Sequence, residues 1–361
     1  MKQEQYYPYY YKEFRCIADK CEDSCCAGWQ IVVDDESARR YETVSGEIGE
    51  TLRSVQCIDE DGDRVFQLRE GNCPFWETSG LCAIHRQIGE SYLCKTCREF
   101  PRTVQDYGAF AEYDLSLSCP EAARLILSGY CPGQEVVITE IPDEECGYDP
   151  DLMKFLRKAR ENLYDLVWNP AYSIAHVLSD CLLYAAQLQD CIDQEDWDTV
   201  PDYIPEPWEE SLQAGTREGF FAAFEEMEIL TEDWKPLLQA AKVLDDEPLP
   251  EELRIAMAGF DGGYRRMLHY YLSRYWLQTV ADFDAIGRIK LMVTAFLMLR
   301  RMQAACMQKE KELPESASVR LVQLYSKEVE HNALNREILE EAFFTDMSFS
   351  IEQLIALLRQ W

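Results

Sequence analysis

A chain of 361 residues, 47% of them hydrophobic, is long enough to close one large core or two ordinary ones. Its formal net charge of −31, from 66 acidic against 35 basic residues, repels phosphate backbones, argues against a direct nucleic-acid binder and favours a lysine-bearing partner, although acidic helix faces also serve plain solubility. The longest apolar run, 291–299, is far below the roughly 20 residues that span a bilayer, and MKQEQYYPYYYKEF has no apolar core behind a basic start, so neither a membrane anchor nor export is expected.

The first 148 residues carry short elements. Tyr6, Tyr7, Tyr9, Tyr10 and Tyr11 read as an extended segment laid against a core. Short strands are expected over 29–33 and 65–68, with turn signals at Asp61-Gly62, Glu70-Gly71-Asn72 and Ser79-Gly80. Pro120 and Glu121 suit the first turn of a helix that starts near Cys119, where the helix dipole favours a thiolate. After Tyr148-Asp149-Pro150 the texture changes to helical periods over 151–168, 171–191, 208–228, 252–280, 318–341 and 349–359. Ile289, Met292, Phe296 and Leu299 form an apolar stripe with Arg288, Lys290 and Arg300 off it, the pattern of a helix that buries one face. The acidic, proline-bearing stretches 196–210 and 245–252 read as connections. The expected fold is mainly α, with a small, irregular α+β, cysteine-rich metal-binding domain over 1–148 and a helical domain over 149–361.

Twelve of the 15 cysteines precede residue 150. An odd number of thiols, in a chain too large to need staples, points to a reducing compartment, the cytoplasm, where thiols serve metals or catalysis. They fall into local groups: Cys16 with Cys21, Cys25 and Cys26; Cys73 with Cys82; Cys94 with Cys97; and Cys119. Two ligands from one turn are positioned at little loop-closure cost, so grouped thiolates point to zinc or an iron-sulfur cluster before a redox pair. Adjacent Cys25 and Cys26 are expected to point apart. Cys57, Cys131, Cys146, Cys181, Cys191 and Cys306 lack local partners and read as small buried hydrophobes.

Neighbours of the grouped thiols take supporting roles. Arg98 and Arg102, around Cys97, could offer guanidiniums to a negatively charged centre or a carboxylate, with surface salt bridging as the ordinary alternative, and Trp29 and Trp76 read as shields against water. His85, three residues after Cys82, has a spacing one helical turn could use for a shared metal, but reads first as a buried or outer-sphere imidazole. His176, His269 and His331 read as structural.

The stretches CEDSCCAGW, GNCPFWETSGLCAIH and TCREFPR resemble the cysteine-cluster families described as zinc- or iron-chelating domains, which share a Cys-Cys pair, a C-P-F segment, a G-x-C-x-I segment and a terminal C-R-x-[FY]-P. Within that group, YYKEFRC, GWQIVVD, IGESYL and SLSCPEAARLIL resemble the flagellin lysine-N-methylase (FliB) family. The likeness covers roughly residues 6 to 130, and continues more weakly in YSIAHVLSDCLLY and HYYLSRYWLQTVADFDAIGRIKLMV.

The resemblance implies methylation of lysine side chains on flagellin from S-adenosyl-L-methionine, using an iron-sulfur cluster of the [4Fe-4S] kind. The family's cysteines fall on Cys16, Cys21, Cys25, Cys26, Cys73, Cys82, Cys97 and Cys119, with Arg98 and Trp29 as cofactor contacts. Cys94 is a less secure member, and eight thiols exceed the four that one cluster takes. The alternative is a zinc- or iron-chelating module with a structural or metal-handling role. The three-cysteine C-x-x-x-C-x-x-C signature of radical enzymes is missing, since position 28 is Gly28, and no glycine-rich G-x-G turn follows a strand as in Rossmann-like methyltransferases. Methyl transfer also needs a neutral amine, whereas an unperturbed lysine titrates near 10.4. The amino-terminal tyrosines could line a lysine channel, with packing the favoured reading, and Glu90 and Glu121 suit capping or outer-sphere roles better than that of a base.

Overall fold

Residues 1–60, 62–77, 79–129, 133–142, 147–205, 218–244, 251–310 and 313–360 are described by a computed structural model. The tyrosine-rich start is extended, as expected, only as far as Pro8. Strand β1 (Lys2–Pro8) gives way to a short helix, α1 (Tyr9–Glu13), because proline lacks a ladder donor and suits the residue that opens a helix. Next come β2 (Ile31–Val32), α2 (Asp35–Glu42), α3 (Gly46–Ser54), β3 (Gln56–Ile58), β4 (Arg64–Phe66), α4 (Ala83–Ile88) and α5 (Lys95–Glu99). The part closes with β5 (Arg102–Asp106), β6 (Phe110–Leu115), α6 (Pro120–Ser128) and β7 (Gln134–Glu140).

Both expected strands form, and they pair antiparallel with Ile31 opposite Phe66 and Val32 opposite Val65, in a three-stranded sheet of order β2-β4-β3. A second, four-stranded sheet was not expected. Its order is β5-β6-β1-β7, with β1 parallel to β6 and antiparallel to β7. The Glu70-Gly71 turn is present, with φ of 53° at Glu70 and of 77° at Gly71, the latter a value glycine adopts freely. Asp61 of another expected turn lies outside the described residues.

The helical part runs α7 (Pro150–Val167), α8 (Ile174–Asp193), α9 (Glu218–Glu225), α10 (Trp234–Lys242), α11 (Glu251–Ala258), α12 (Asp261–Tyr275), α13 (Thr279–Asp282), α14 (Ala285–Glu310), α15 (Glu315–Tyr325), α16 (Ala333–Thr345) and α17 (Ile351–Leu358). The expected helix over 252–280 is thus broken after Ala258. The one over 318–341 is interrupted by a π-helical turn, Ser326–Glu330. Residues 208–217 of another expected helix, and 206–210 and 245–250 of the two connections, lie outside the described residues.

The helix α14 corrects the one-faced reading of its sequence. Arg288, Lys290 and Arg300 are all buried, because α14 runs through the middle of the bundle and each cationic head finds an oxygen there. Lys290 donates to the Phe343 carbonyl at 2.7 Å, Arg300 to the Met257 carbonyl at 3.1 Å, and Arg288 pairs with Asp282. Paired in this way, long cationic side chains contribute apolar stems to a core.

Among the described residues, two main hydrophobic cores result. The larger joins the four-stranded sheet to the helices, from Phe14, Phe110, Leu115 and Leu117 through Trp276 and Phe296 to Leu358. The smaller lies among β2, β4 and α2–α4, around Tyr41, Leu52, Phe66 and Phe75, and includes Cys73 and Cys94. Gly28 marks one seam between the parts: its φ is +94°, and a Cβ there would stand 3.2 Å from the Leu230 carbonyl oxygen.

Candidate functional site

Three cysteines stand immediately before helices: Cys82 before α4, Cys94 before α5 and Cys119 before α6. At each, backbone N–H groups favour the thiolate: those of His85 and Ile84 at Cys82, of Cys97 at Cys94, and of Ala122 and Glu121 at Cys119. The dipole effect expected at Cys119 is therefore present, but burial outweighs it and pushes the thiol up to about 12.

From these anchors the grouped thiols form one continuous bed. Cys16, Cys25 and Cys119 lie within electrostatic reach of Cys21. Cys25 and Cys26, expected to diverge, instead share a hydrogen bond, which with burial raises Cys25. The Cys25 contact favours the Cys26 thiolate, but donation towards Cys73 and burial prevail and push Cys26 up to about 12. The same contact lowers Cys73, while burial raises Cys82. Cys97 donates to Cys94, so Cys94 is lowered and Cys97 raised. Cys94 is thus inside the bed. None of these cysteines is in a disulfide. Among the described residues, no group of three or more His, Cys, Asp or Glu side chains is arranged to hold a metal ion.

A single zinc needs four ligands meeting at about 2.3 Å, whereas a four-iron cluster takes its thiolates at separate corners. Thiolate sulfur is a donor that suits either centre. Most of the grouped cysteines are neutral thiols here, so metal binding would release protons.

The helical part grips the bed at Asp23. Its carboxylate accepts from Lys327 at 2.8 Å, Gln323 at 2.9 Å and Arg320 at 3.1 Å, and Gln323 also donates to the Ser118 carbonyl next to Cys119. Lys327 is 1% exposed, and its Nζ lies 5.1 Å from the Trp29 ring centroid. Trp29 packs edge-on against His331, with centroids 4.0 Å apart, and against the small core beside Cys26 and Cys97.

The other expected neighbours differ in exposure and contacts. Arg98 is exposed on α5, and Arg102 lies over the Phe14 ring at 5.1 Å. His85 is exposed rather than buried, since its side chain leaves the first turn of α4 on the solvent side. Trp76 is 38% exposed and shields little. Glu121 forks onto Arg124, and Glu90 is exposed. Cys57, read as buried, is exposed on β3; Cys181 is buried, and Cys191 and Cys306 are half-buried. Cys131 and Cys146 lie outside the described residues.

A cavity of about 230 Å³ opens between the four-stranded sheet and helices α7 and α12. Tyr6, Tyr10, Tyr113 and Tyr164 contribute to its walls. At depth, Tyr10 donates to Asp114 Oδ1 at 2.6 Å, and burial pushes Asp114 up to about 6. Arg160 pairs with Glu112, with one contact at 2.8 Å, and Arg274 donates to Thr103 at 2.8 Å. His269 stacks on Tyr164 at 4.1 Å, and burial followed by Arg160 lowers it to about 3. Sequence reading missed Asp114, Arg160, Arg274 and Lys327, because none belongs to a spacing motif; the tyrosines alone gave a signal.

Comparison with known proteins places these features in company. The family described as the FliB lysine N-methylase C-terminal domain matches residues 160–357, the part where the sequence likeness was weaker. The flagellar biosynthetic protein FliU of Salmonella muenchen is 29% identical over 127 residues, 34% of this chain and 75% of its own length. Lysine-N-methylases of Salmonella typhimurium and Salmonella choleraesuis are 29% identical over 127 residues, and there the match spans 32% of their length. No solved structure matches.

Proposed function

Because the chain belongs to the FliB lysine N-methylase family, we propose that it methylates lysine side chains of flagellin with S-adenosyl-L-methionine as donor and an iron-sulfur centre as cofactor. The observation that carries the reading is the family match across more than half of the chain, 160–357. The flagellin target draws on the flagellar name of one relative, and the strongly acidic surface suits a lysine-bearing partner.

The thiols support the cofactor. Cys16, Cys21, Cys25, Cys26, Cys73, Cys82, Cys97 and Cys119, with Cys94 now beside them, are the residues from which its four ligands would be drawn. When bound, such a centre would supply iron as a Lewis acid towards the methyl donor. The chain's own residues do the rest. The helix N-termini that follow Cys82, Cys94 and Cys119 favour thiolate charge, the Lys327 ammonium offsets it, and Trp29 with His331 screens the Cys26 side from water.

Anaerobic reconstitution tests cofactor and donor together. Broad near-visible absorption with stoichiometric sulfide, altered on adding S-adenosyl-L-methionine, and added methyl mass on flagellin lysines are expected. A colourless zinc protein that leaves flagellin unchanged would return the reading to a chelating module.

A further inference from the structure

The tyrosine-lined cavity belongs to no cysteine motif. We infer that it receives the side chain of the lysine to be methylated, and that Asp114 is the base that takes its proton; the inference rests on the lysine-methyltransferase reading.

Size limits the occupant. About 230 Å³ is below the roughly 300–1,000 Å³ of pockets that enclose drug-sized ligands, so the cavity suits one long side chain better than a nucleoside-bearing cofactor. Its rim, at Gln134, is exposed, and its floor, at Asp114, is buried. Between them, Tyr6, Tyr10, Tyr113 and Tyr164 offer apolar surface to the methylenes of a long side chain.

The charges at depth suit deprotonation. Both hydrogen bonds to Asp114, from Tyr10 and from the Leu115 N–H, fall on Oδ1, so Oδ2 is the oxygen assigned to the ammonium. Glu112 is engaged by Arg160, and His269 is held neutral by burial and by Arg160. The guanidiniums of Arg160 and Arg274 face the same space. The Glu112 carboxylate balances Arg160, so it is desolvation in the buried floor that favours the neutral form of an entering amine. With Asp114 raised to about 6, the carboxylate is ionised at neutral pH yet more basic than an ordinary one. The ammonium N–H bond breaks, its electron pair stays on nitrogen, and the proton passes to Asp114 Oδ2, leaving a neutral amine and a neutral acid.

The same elements serve the thiol bed. Strand β6 and the loop after it carry both Asp114 and Cys119, and Arg274 leads through Tyr275 and Glu330 to the π-turn, whose next residue, His331, packs on Trp29.

Titration of the full chain at pH 8 with Nα-acetyl-lysine methylamide, followed by tyrosine fluorescence, tests the assignment without any cofactor. The lysine probe is expected to bind at least tenfold tighter than its uncharged norleucine counterpart. Asp114→Asn should remove that preference, and Ser273→Phe, which fills the cavity and removes no charge, should weaken both probes tenfold while the melting temperature holds. Equal binding of the two probes, or unchanged binding in Ser273→Phe, overturns the assignment. Wild-type protein that binds the lysine probe selectively but adds no methyl group to flagellin would instead defeat the methyltransferase reading and leave the cavity as a lysine site.

Discussion

Asp34 ties two elements together with one carboxylate. It accepts from the Ser37 N–H at 2.9 Å, capping α2, and from the Lys95 N–H at 2.7 Å, at the start of α5. Burial alone would raise it, but the Lys95 and Ser37 donors prevail and hold it at about 2. Asp34→Ala is expected to cost about 1 kcal/mol, the ordinary worth of an N-cap, and Asp34→Asn much less, as urea unfolding would measure. Because the folded value lies below the unfolded one near 3.8, this stabilisation is present above about pH 4 and disappears as pH falls towards 2. His269 acts over a different range. Its folded value near 3 lies below the unfolded 6.5, so the unfolded chain takes the proton first. Stability is full above about pH 6.5 and falls by up to about 1.4 kcal/mol per unit on acidification. Stability measured between pH 6.5 and 4 should therefore fall less steeply in His269→Gln; an unchanged slope would show that the buried imidazole does not govern this range.

At the scale of elements, the π-turn does what an uninterrupted helix could not. Its extra residue per turn turns Lys327 towards Asp23, Glu328 towards the Leu230 N–H and Glu330 towards the Tyr275 hydroxyl, all from a buried segment. Asn335, fully buried at the start of α16, locks the turn: it accepts from the Glu228 N–H at 2.7 Å and donates to the Glu228 and Glu328 carbonyls at 2.8 and 2.7 Å. Asn335→Ala should destabilise by about 2–4 kcal/mol, since it leaves buried groups unpaired, and loosen the grip on Asp23; a loss below about 1 kcal/mol in chemical denaturation would show that water replaces the amide. Helical periods in the sequence located α7, α8 and α17 to within a few residues. They could not reveal the π-turn, because one inserted residue leaves the apolar pattern on both sides intact.

For the whole molecule, two cores of unequal size imply unequal stability. If the thiols hold a centre as proposed, its removal by anaerobic chelation should open the smaller core first. Hydrogen exchange is then expected to accelerate at least tenfold across 56–97 while α8 and α14 stay protected; uniform acceleration would mean that the two cores unfold as one. The sequence by itself determined that the chain is mainly helical, that its thiols are grouped before residue 150, and that its motifs resemble one family, because periodicity and spacing are local properties written residue by residue. Only the tertiary structure decided that the four-stranded sheet joins the helical core, that Lys327 meets Asp23, and that Tyr10, Asp114, Arg160 and Arg274 surround one cavity. Most of those meetings join residues more than 100 positions apart, and no local pattern encodes a partner that only packing brings near.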